Sequence, residues 1–190
     1  MKNLIFFGAP GAGKGTQAKK LETKLKLKHI STGDVLRAEI SNASDLGQKA
    51  EVFMNKGELV PDKLIIRMVE KIISQIHKKN GFILDGFPRT IPQAVALDEM
   101  LKKYNISISD VLFLDVPKET LIGRLQKRAK IEKRNDDKNV KTIENRIEIY
   151  KKKTKPVFEY YANQDKFKKI NGVGNINEIY QKILLKLSKL

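Results

Sequence analysis

The chain has 190 residues, 41% of them hydrophobic, a formal charge of +16 and no cysteine. That is enough apolar material for one domain with a sizeable core, and it argues against a disordered chain. Without cysteine there can be no disulfide framework, no thiol nucleophile and no cysteine-bound structural zinc.

Met1-Lys2-Asn3 followed by Leu4–Phe7 briefly mimics a secretion signal, but the apolar run stops after four residues at Gly8. No stretch approaches membrane-spanning length, so the expectation is a cytoplasmic protein with no membrane partner. The charge raises nucleic acid as a partner. Of 38 basic residues, however, 31 are lysines, which are ordinary solvated surface, and only seven are arginines. Arginine's planar fork suits bidentate contact with phosphate or carboxylate, so each arginine stands out.

The first element is a strand over Leu4–Phe7, an unbroken apolar run. "GAPGAGKGT" follows directly, from Gly8 to Thr16, and fits G-x-x-x-x-G-K between a strand and a helix. Its glycines let backbone N–H groups converge on phosphate oxygens, the helix N-terminus adds positive potential, and Lys14 supplies a point charge. Gly15 stands where a magnesium-ligating hydroxyl is usual, and the hydroxyl comes one residue later, at Thr16. A metal would then be held mainly by phosphates and water.

A short strand is expected at His29-Ile30. Residues 31–60 hold helical pieces but no core strand. "STGD", residues 31–34, reads locally as a helix cap by Thr32 or Asp34, ahead of Arg37. A helix is expected over Asp62–Lys79, where Ile65, Val69, Ile72, Ile73 and Ile76 share a face. A strand over Phe82–Leu84 runs into "ILDGFPRT", residues 83–90: the strand ends at Asp85, a turn follows at Gly86-Phe87-Pro88, and Arg89 is presented at the strand's C-terminal edge, where open α/β sheets bind ligands.

Val111–Val116 is the next strand. "GRLQKR" then puts Arg124 and Arg128 four apart on one helix face. Residues 129–141 are strongly polar and carry Arg134. Helical patterns over Thr142–Asn163, with Arg146, and Asn175–Leu190 flank a last strand at Lys168–Asn171. Strands alternating with helices imply right-handed βαβ units.

The loop G-x-P-G-x-G-K-G-T resembles that of adenylate kinases and their nucleoside monophosphate kinase relatives, and "STGD" and "DGFPR" resemble further motifs of the family. The resemblance implies a P-loop NTPase-type three-layer α/β domain with a five-stranded parallel sheet. Its core would span 1–30, 61–123 and 138–190, with an AMP-binding excursion over 31–60. A short lid would span about 124–137, since only five residues separate Arg128 from Arg134.

For ATP the resemblance implies Gly11, Ala12, Gly13, Lys14, Gly15 and Thr16, with Arg124, Arg128 and Gly174, the last in the loop "NGVGN" beside Gly172. For AMP it implies Thr32, Gly33, Arg37, Met54, Glu58, Leu59, Val60, Gly86, Phe87, Pro88, Arg89, Gln93, Arg134 and Arg146. Thr32 and Gln93 would read the adenine edge. Lys14, Arg89, Arg128, Arg134 and Arg146 would be catalytic, and Asp85 and Thr16 would touch magnesium through water. A cis Phe87–Pro88 bond is also implied.

One residue more lies between Asp137 and Arg146 than in the common family spacing. Six of the seven arginines fall on matched positions, and Arg67 is left as surface or structural. The expected reaction is reversible magnesium-dependent phosphoryl transfer from ATP to AMP, giving ADP, by a monomer with no nucleic-acid partner. His29 and His77 need no catalytic role, because the phosphate nucleophile is already ionised; His29 reads as a strand neighbour of the site and His77 as a helix-surface residue.

A UMP/CMP kinase shares the loop and the arginines, and Thr32 with Gln93 favours adenine over it. A nucleic-acid binder would need stacking aromatics, and Tyr160-Tyr161 is the only adjacent aromatic pair in the basic half. "NKGE", 55–58, follows no strand, which argues against a guanine-reading switch protein.

Overall fold

Five short parallel strands carry the site: β1 (Lys2–Phe7), β2 (Lys28–Ser31), β3 (Gly81–Asp85), β4 (Asp110–Asp115) and β5 (Phe167–Asn171), in spatial order β2-β3-β1-β4-β5. The computed structural model describes residues 2–77, 80–132, 134–137 and 139–187. Met1, Lys133, Lys138 and the ends of the helical patterns expected over 62–79 and 175–190 lie outside the described residues.

The apolar runs read as strands are strands because both faces are covered. Side chains alternate in direction along a strand. Ile5, Phe7, Phe82, Leu84 and Val111 therefore enter one apolar cluster, and Leu4, Phe6, Ile83, Leu112 and Leu114 enter the other. The first cluster is closed by α4 (Asp62–Ile76), α5 (Ile91–Lys102) and α8 (Pro156–Ala162), through residues such as Ile65, Val69, Leu97 and Tyr161. The second is closed by α1 (Lys14–Leu25) and α9 (Ile176–Leu187), through Ala18, Leu21, Ile179 and Ile183. A fully buried side chain of this kind contributes about 1.5–3 kcal/mol, so these stripes decide where the helices lie.

The remaining helices stand beyond the C-terminal ends of the strands. Apart from Ser31, the last residue of β2, residues 31–60 form α2 (Thr32–Ser41) and α3 (Asp45–Asn55) with no strand among them. The polar stretch 129–141 is shorter as an excursion than its composition suggests. The helix α6 (Lys118–Glu132) continues through Arg124 and Arg128, a 3-10 turn covers Asn135–Asp137, and α7 begins at Val140.

The single helix expected over Thr142–Asn163 is broken into α7 (Val140–Ile149), a π-helical turn (Tyr150–Thr154) and α8. Pro156 has no N–H to give back to the preceding turn. The Lys155 N–H instead bonds the Tyr150 carbonyl five residues back, at 2.9 Å. Both the aromatic pair and the cap of "STGD" also differ from the simple reading. Tyr161 is buried in the core, and Tyr160 donates its hydroxyl to Asp98 Oδ2 at 2.7 Å. Ser31, not Thr32 or Asp34, caps α2 by accepting the Asp34 N–H.

Candidate functional site

β1 is the central strand, between β3 and β4, and its C-terminus opens into a cavity of about 1240 Å³. The wall is built from loops that leave the strand ends, as expected for an open parallel sheet. Every residue expected at a nucleotide lines this cavity except Phe87. The Phe87 ring is buried among the core residues instead, because burial of a large apolar ring outweighs exposure at the turn. The Phe87–Pro88 bond is cis.

The phosphate loop runs from β1 into α1. Gly13 caps the helix with φ +93°, and an added Cβ there would meet nothing within 4 Å. Gly11, φ +84°, is enclosed: a Cβ would stand 2.9 Å from the Leu121 carbonyl oxygen and from Leu125. Gly13 therefore faces open cavity, while Gly11 packs against α6. Gly15 is not forced by packing, since a Cβ would stand 3.4 Å from Asp85 Oδ2, an ordinary contact.

Lys14 Nζ donates to the carbonyls of Gly8, at 2.8 Å, and Ala9, at 3.1 Å. Burial and the nearby cations Arg89, Arg128 and Arg146 push its pKa down to about 8, against the pull of Asp85. Four cations thus converge on one region of the cavity. That arrangement is costly unless anions complete it.

Asp85 ends β3 beside the loop. Its oxygen lies 3.7 Å from His29 Nε2, a residue of β2. Burial pushes its carboxyl up, but His29, Lys14 and Arg89 outweigh it and hold it below the usual range. Asp85 is therefore ionised at neutral pH. Thr16 is exposed at the cavity edge. Among the described residues no group of three or more His, Asp or Glu side chains could cage a metal. The donor set fits a magnesium ion that arrives on phosphates and keeps its waters.

The second group of expected residues gathers around Gly86. Thr32 is buried and donates its hydroxyl to the Gly86 carbonyl at 2.9 Å. Arg89 Nε also donates to the Gly86 carbonyl, at 2.7 Å. Burial and Arg146 lower the Arg89 pKa to about 10, so it remains charged at neutral pH. Arg37 pairs with Asp34, and Arg134 Nη2 stands 3.6 Å from the same Asp34 oxygen. Burial pushes the Asp34 carboxyl up, and its bonds from Arg37 and Ser31 leave it below the usual range.

The lid arginines are held by two aspartates that the sequence reading did not single out. Arg128 Nε donates to Asp137 Oδ2 at 2.6 Å. Arg146 Nη1 bonds the other Asp137 oxygen and Asp136 Oδ2, the latter at 2.9 Å. Arg128 Nη2 is buried yet has no hydrogen-bond partner among the described residues. It is a cationic donor left for an anion in the cavity. The sequence signal was present: Asp136-Asp137 is an acidic pair within a stretch, 123–155, of 13 basic and five acidic residues.

Arg124 spans two loops, donating to the carbonyls of Ala12, at 3.4 Å, and Gly172, at 3.1 Å. Gly174 has φ +126°, and a Cβ would collide with Glu178 Oε2 at 2.5 Å. The excursion over 31–60 touches α7, where Asn145 Nδ2 donates to the Lys56 carbonyl at 2.8 Å. Neither histidine contributes a catalytic geometry: His77 stacks on Tyr104 at 4.1 Å, away from the cavity, and His29 only flanks Asp85.

A family profile described as adenylate kinase matches residues 6–166 of the chain. The chain is 46% identical to adenylate kinase of Bacteroides fragilis over 183 residues, covering 96% of each. It is 44% identical to adenylate kinase of Azobacteroides pseudotrichonymphae over 190 residues, covering 100% of this chain and 99% of the relative. It is 43% identical to adenylate kinase of Bacteroides thetaiotaomicron over 190 residues, covering 100% of both.

Proposed function

The chain belongs to the adenylate kinase family, and from that membership we propose how its residues carry the transfer of a phosphoryl group from ATP to AMP, giving two ADP. The observation that supports the assignment of roles is one cavity lined both by the phosphate loop and by Arg37, Arg89, Arg124, Arg128, Arg134 and Arg146. Its volume of about 1240 Å³ exceeds the range of roughly 300–1000 Å³ usual for one small ligand, as two nucleotides require.

The loop from Gly11 to Thr16 holds the β- and γ-phosphates of ATP, with Lys14 moving from its carbonyl partners to the phosphates. Arg124 and Gly174 lie at the ATP end. Arg37 and Arg89 hold the AMP phosphate, and Thr32 and Gln93 face the base. Met54, Glu58, Leu59, Val60 and the turn Gly86 to Pro88 frame the AMP pocket. The AMP phosphate attacks as an anion, so no general base is required. Positioning and charge are the whole task.

Arg128, Arg134 and Arg146 meet the charge that spreads over the moving phosphoryl group. A magnesium ion bound with ATP supplies further neutralisation and orients the phosphate oxygens, and Asp85 and Thr16 would hold its waters. Residues 31–60 and about 124–137 close over the two nucleotides and exclude water, the competing acceptor. The Asp34–Arg134 contact between the two segments supports this.

The proposed setting is the cytoplasm, as a monomer, with neither nucleic acid nor a membrane as partner. Among the described residues no helix is long and apolar enough to cross a membrane. The adjacent tyrosines serve the core and Asp98 rather than an exposed stacking face, which supports the reading on nucleic acid.

Inhibition by a dinucleotide of two adenosines joined through a polyphosphate tests the site. Competition against both ATP and AMP is expected. Competition against only one would separate the two pockets and refute the shared cavity.

A further inference from the structure

Gln93 is held at both ends of its side-chain amide. The backbone N–H of Arg89 donates to Oε1 at 2.7 Å, and Nε2 donates to Asp62 Oδ1, also at 2.7 Å. The other Asp62 oxygen accepts the Thr90 hydroxyl at 2.9 Å. Thr90 Oγ1 in turn accepts the Gln93 backbone N–H at 3.3 Å and caps α5. Asp62 lies in the first turn of α4. A carboxylate is thus fixed between the starts of two helices, where the helix dipoles favour its charge.

This arrangement removes an ambiguity. An amide can present its oxygen and nitrogen in either order. A backbone N–H can only donate and an ionised carboxylate can only accept, so one order satisfies both and the other satisfies neither. Each polar atom of the Gln93 amide uses one of its two capacities here, which leaves one N–H and one lone pair in a fixed order.

The purine edge makes that order matter. Adenine offers a donor at its 6-amino group and an acceptor at N1. A 6-oxo purine offers an acceptor at O6 and a donor at N1, the reverse. An amide locked one way pairs with one edge and opposes the other, and opposed buried polar groups are strongly rejected.

We propose that Asp62, by accepting from Gln93 Nε2, is a positioning residue that makes the enzyme select 6-amino over 6-oxo purine monophosphates. The proposal rests on the reading that Gln93, which lines the cavity, faces the base. Asp62 itself touches no substrate. It acts by fixing the amide, and Thr90 acts by fixing Asp62.

The test compares AMP with inosine monophosphate, which differs at that edge, as phosphate acceptors from ATP. In Asp62→Ala the preference for AMP, as a ratio of kcat/KM, falls at least tenfold. The change lies mainly in the acceptor KM, and the KM for ATP stays as in the wild type. Asp62→Asn, whose carbonyl can accept the same N–H, keeps most of the preference. An unchanged ratio in Asp62→Ala, or equal losses for both acceptors, overturns the proposal, since a merely structural residue would lower both alike.

Gln93→Ala separates the two layers of inference. If it abolishes the preference while Asp62→Ala does not, only the role of Asp62 fails. If Gln93→Ala leaves the preference intact, Gln93 does not face the base, and both readings fail. Should Asp62→Ala not fold, Thr90→Val frees the carboxylate with little change in volume. It shifts the ratio in the same direction if the proposal holds, and an unmoved ratio there overturns it.

Discussion

Replacing Lys14 by methionine should stabilise the fold while removing activity. The Lys14 ammonium is held among Arg89, Arg128 and Arg146, and burial with those cations lowers its pKa from 10.5 to about 8. Between those two values the unfolded chain keeps the proton and the folded chain does not, so stability rises with pH across that window. Below pH 8 both states are protonated, and the folded state bears the full cost of the buried charge.

At about 1.4 kcal/mol per pH unit the cost is roughly 3 kcal/mol before solvent screening, which lessens it because Lys14 is only half-buried. Methionine removes the charge but also the two bonds to the Gly8 and Ala9 carbonyls, worth about 1 kcal/mol each. A net gain of at most about 1 kcal/mol remains below pH 8, or roughly 2–4 °C in Tm for a chain of this size. Urea unfolding of both proteins from pH 6.5 to 10 measures it, and the difference should shrink as pH rises above 8. A methionine variant less stable than wild type at pH 7, or a difference flat from pH 7 to 10, would refute the reasoning.

Three further outcomes follow from the same geometry. Arg146→Lys keeps a charge but loses the planar guanidinium, whose Nη1 alone meets Asp136 and Asp137 and whose other donors remain for phosphate, so kcat for ADP formation should fall about 100-fold, some 2.7 kcal/mol. A loss under threefold in initial-rate assays would remove Arg146 from the transition state. Asp137→Ala leaves two arginines without their buried carboxylate, and chemical denaturation should show a loss of about 3 kcal/mol; a neutral effect would mean the pairs contribute nothing net. Gly13→Ala should fold with a penalty of about 1–2 kcal/mol for its backbone but raise the KM for ATP, since its Cβ enters the cavity. Gly11→Ala should be the less stable of the two, because it meets Leu121 and Leu125, and the reverse order in thermal melts would contradict the placement of the loop.

What the sequence revealed was what is written in consecutive residues. Gly8 to Thr16 and Asp85 to Arg89 each carry their geometry locally, and the scarcity of arginine among so many lysines marked the phosphate-directed side chains. The strands were legible because both faces are buried, which leaves unbroken apolar runs. Contacts made only by tertiary folding were not legible. Asp62 and Gln93 are 31 residues apart and meet across two helix starts. Thr154 reaches the Arg89 carbonyl at 3.0 Å from a π-helical turn that a 3.6-residue period does not suggest. His29 was legible as a strand neighbour of the site, but its partner was not: Asp85 stands beside it through the register that sets Ser31 opposite Asp85. The Phe87 ring follows the core, not the motif around it.

The most direct measurement is the initial rate of ADP formation by the purified chain with ATP and magnesium, offering AMP, GMP, CMP, UMP and dTMP separately. AMP should be the strongly preferred acceptor, and omission of magnesium should abolish the rate. Preference for UMP or CMP would contradict the assignment of Thr32 and Gln93 to adenine, and no transfer to any acceptor would contradict the phosphoryl-transfer site itself.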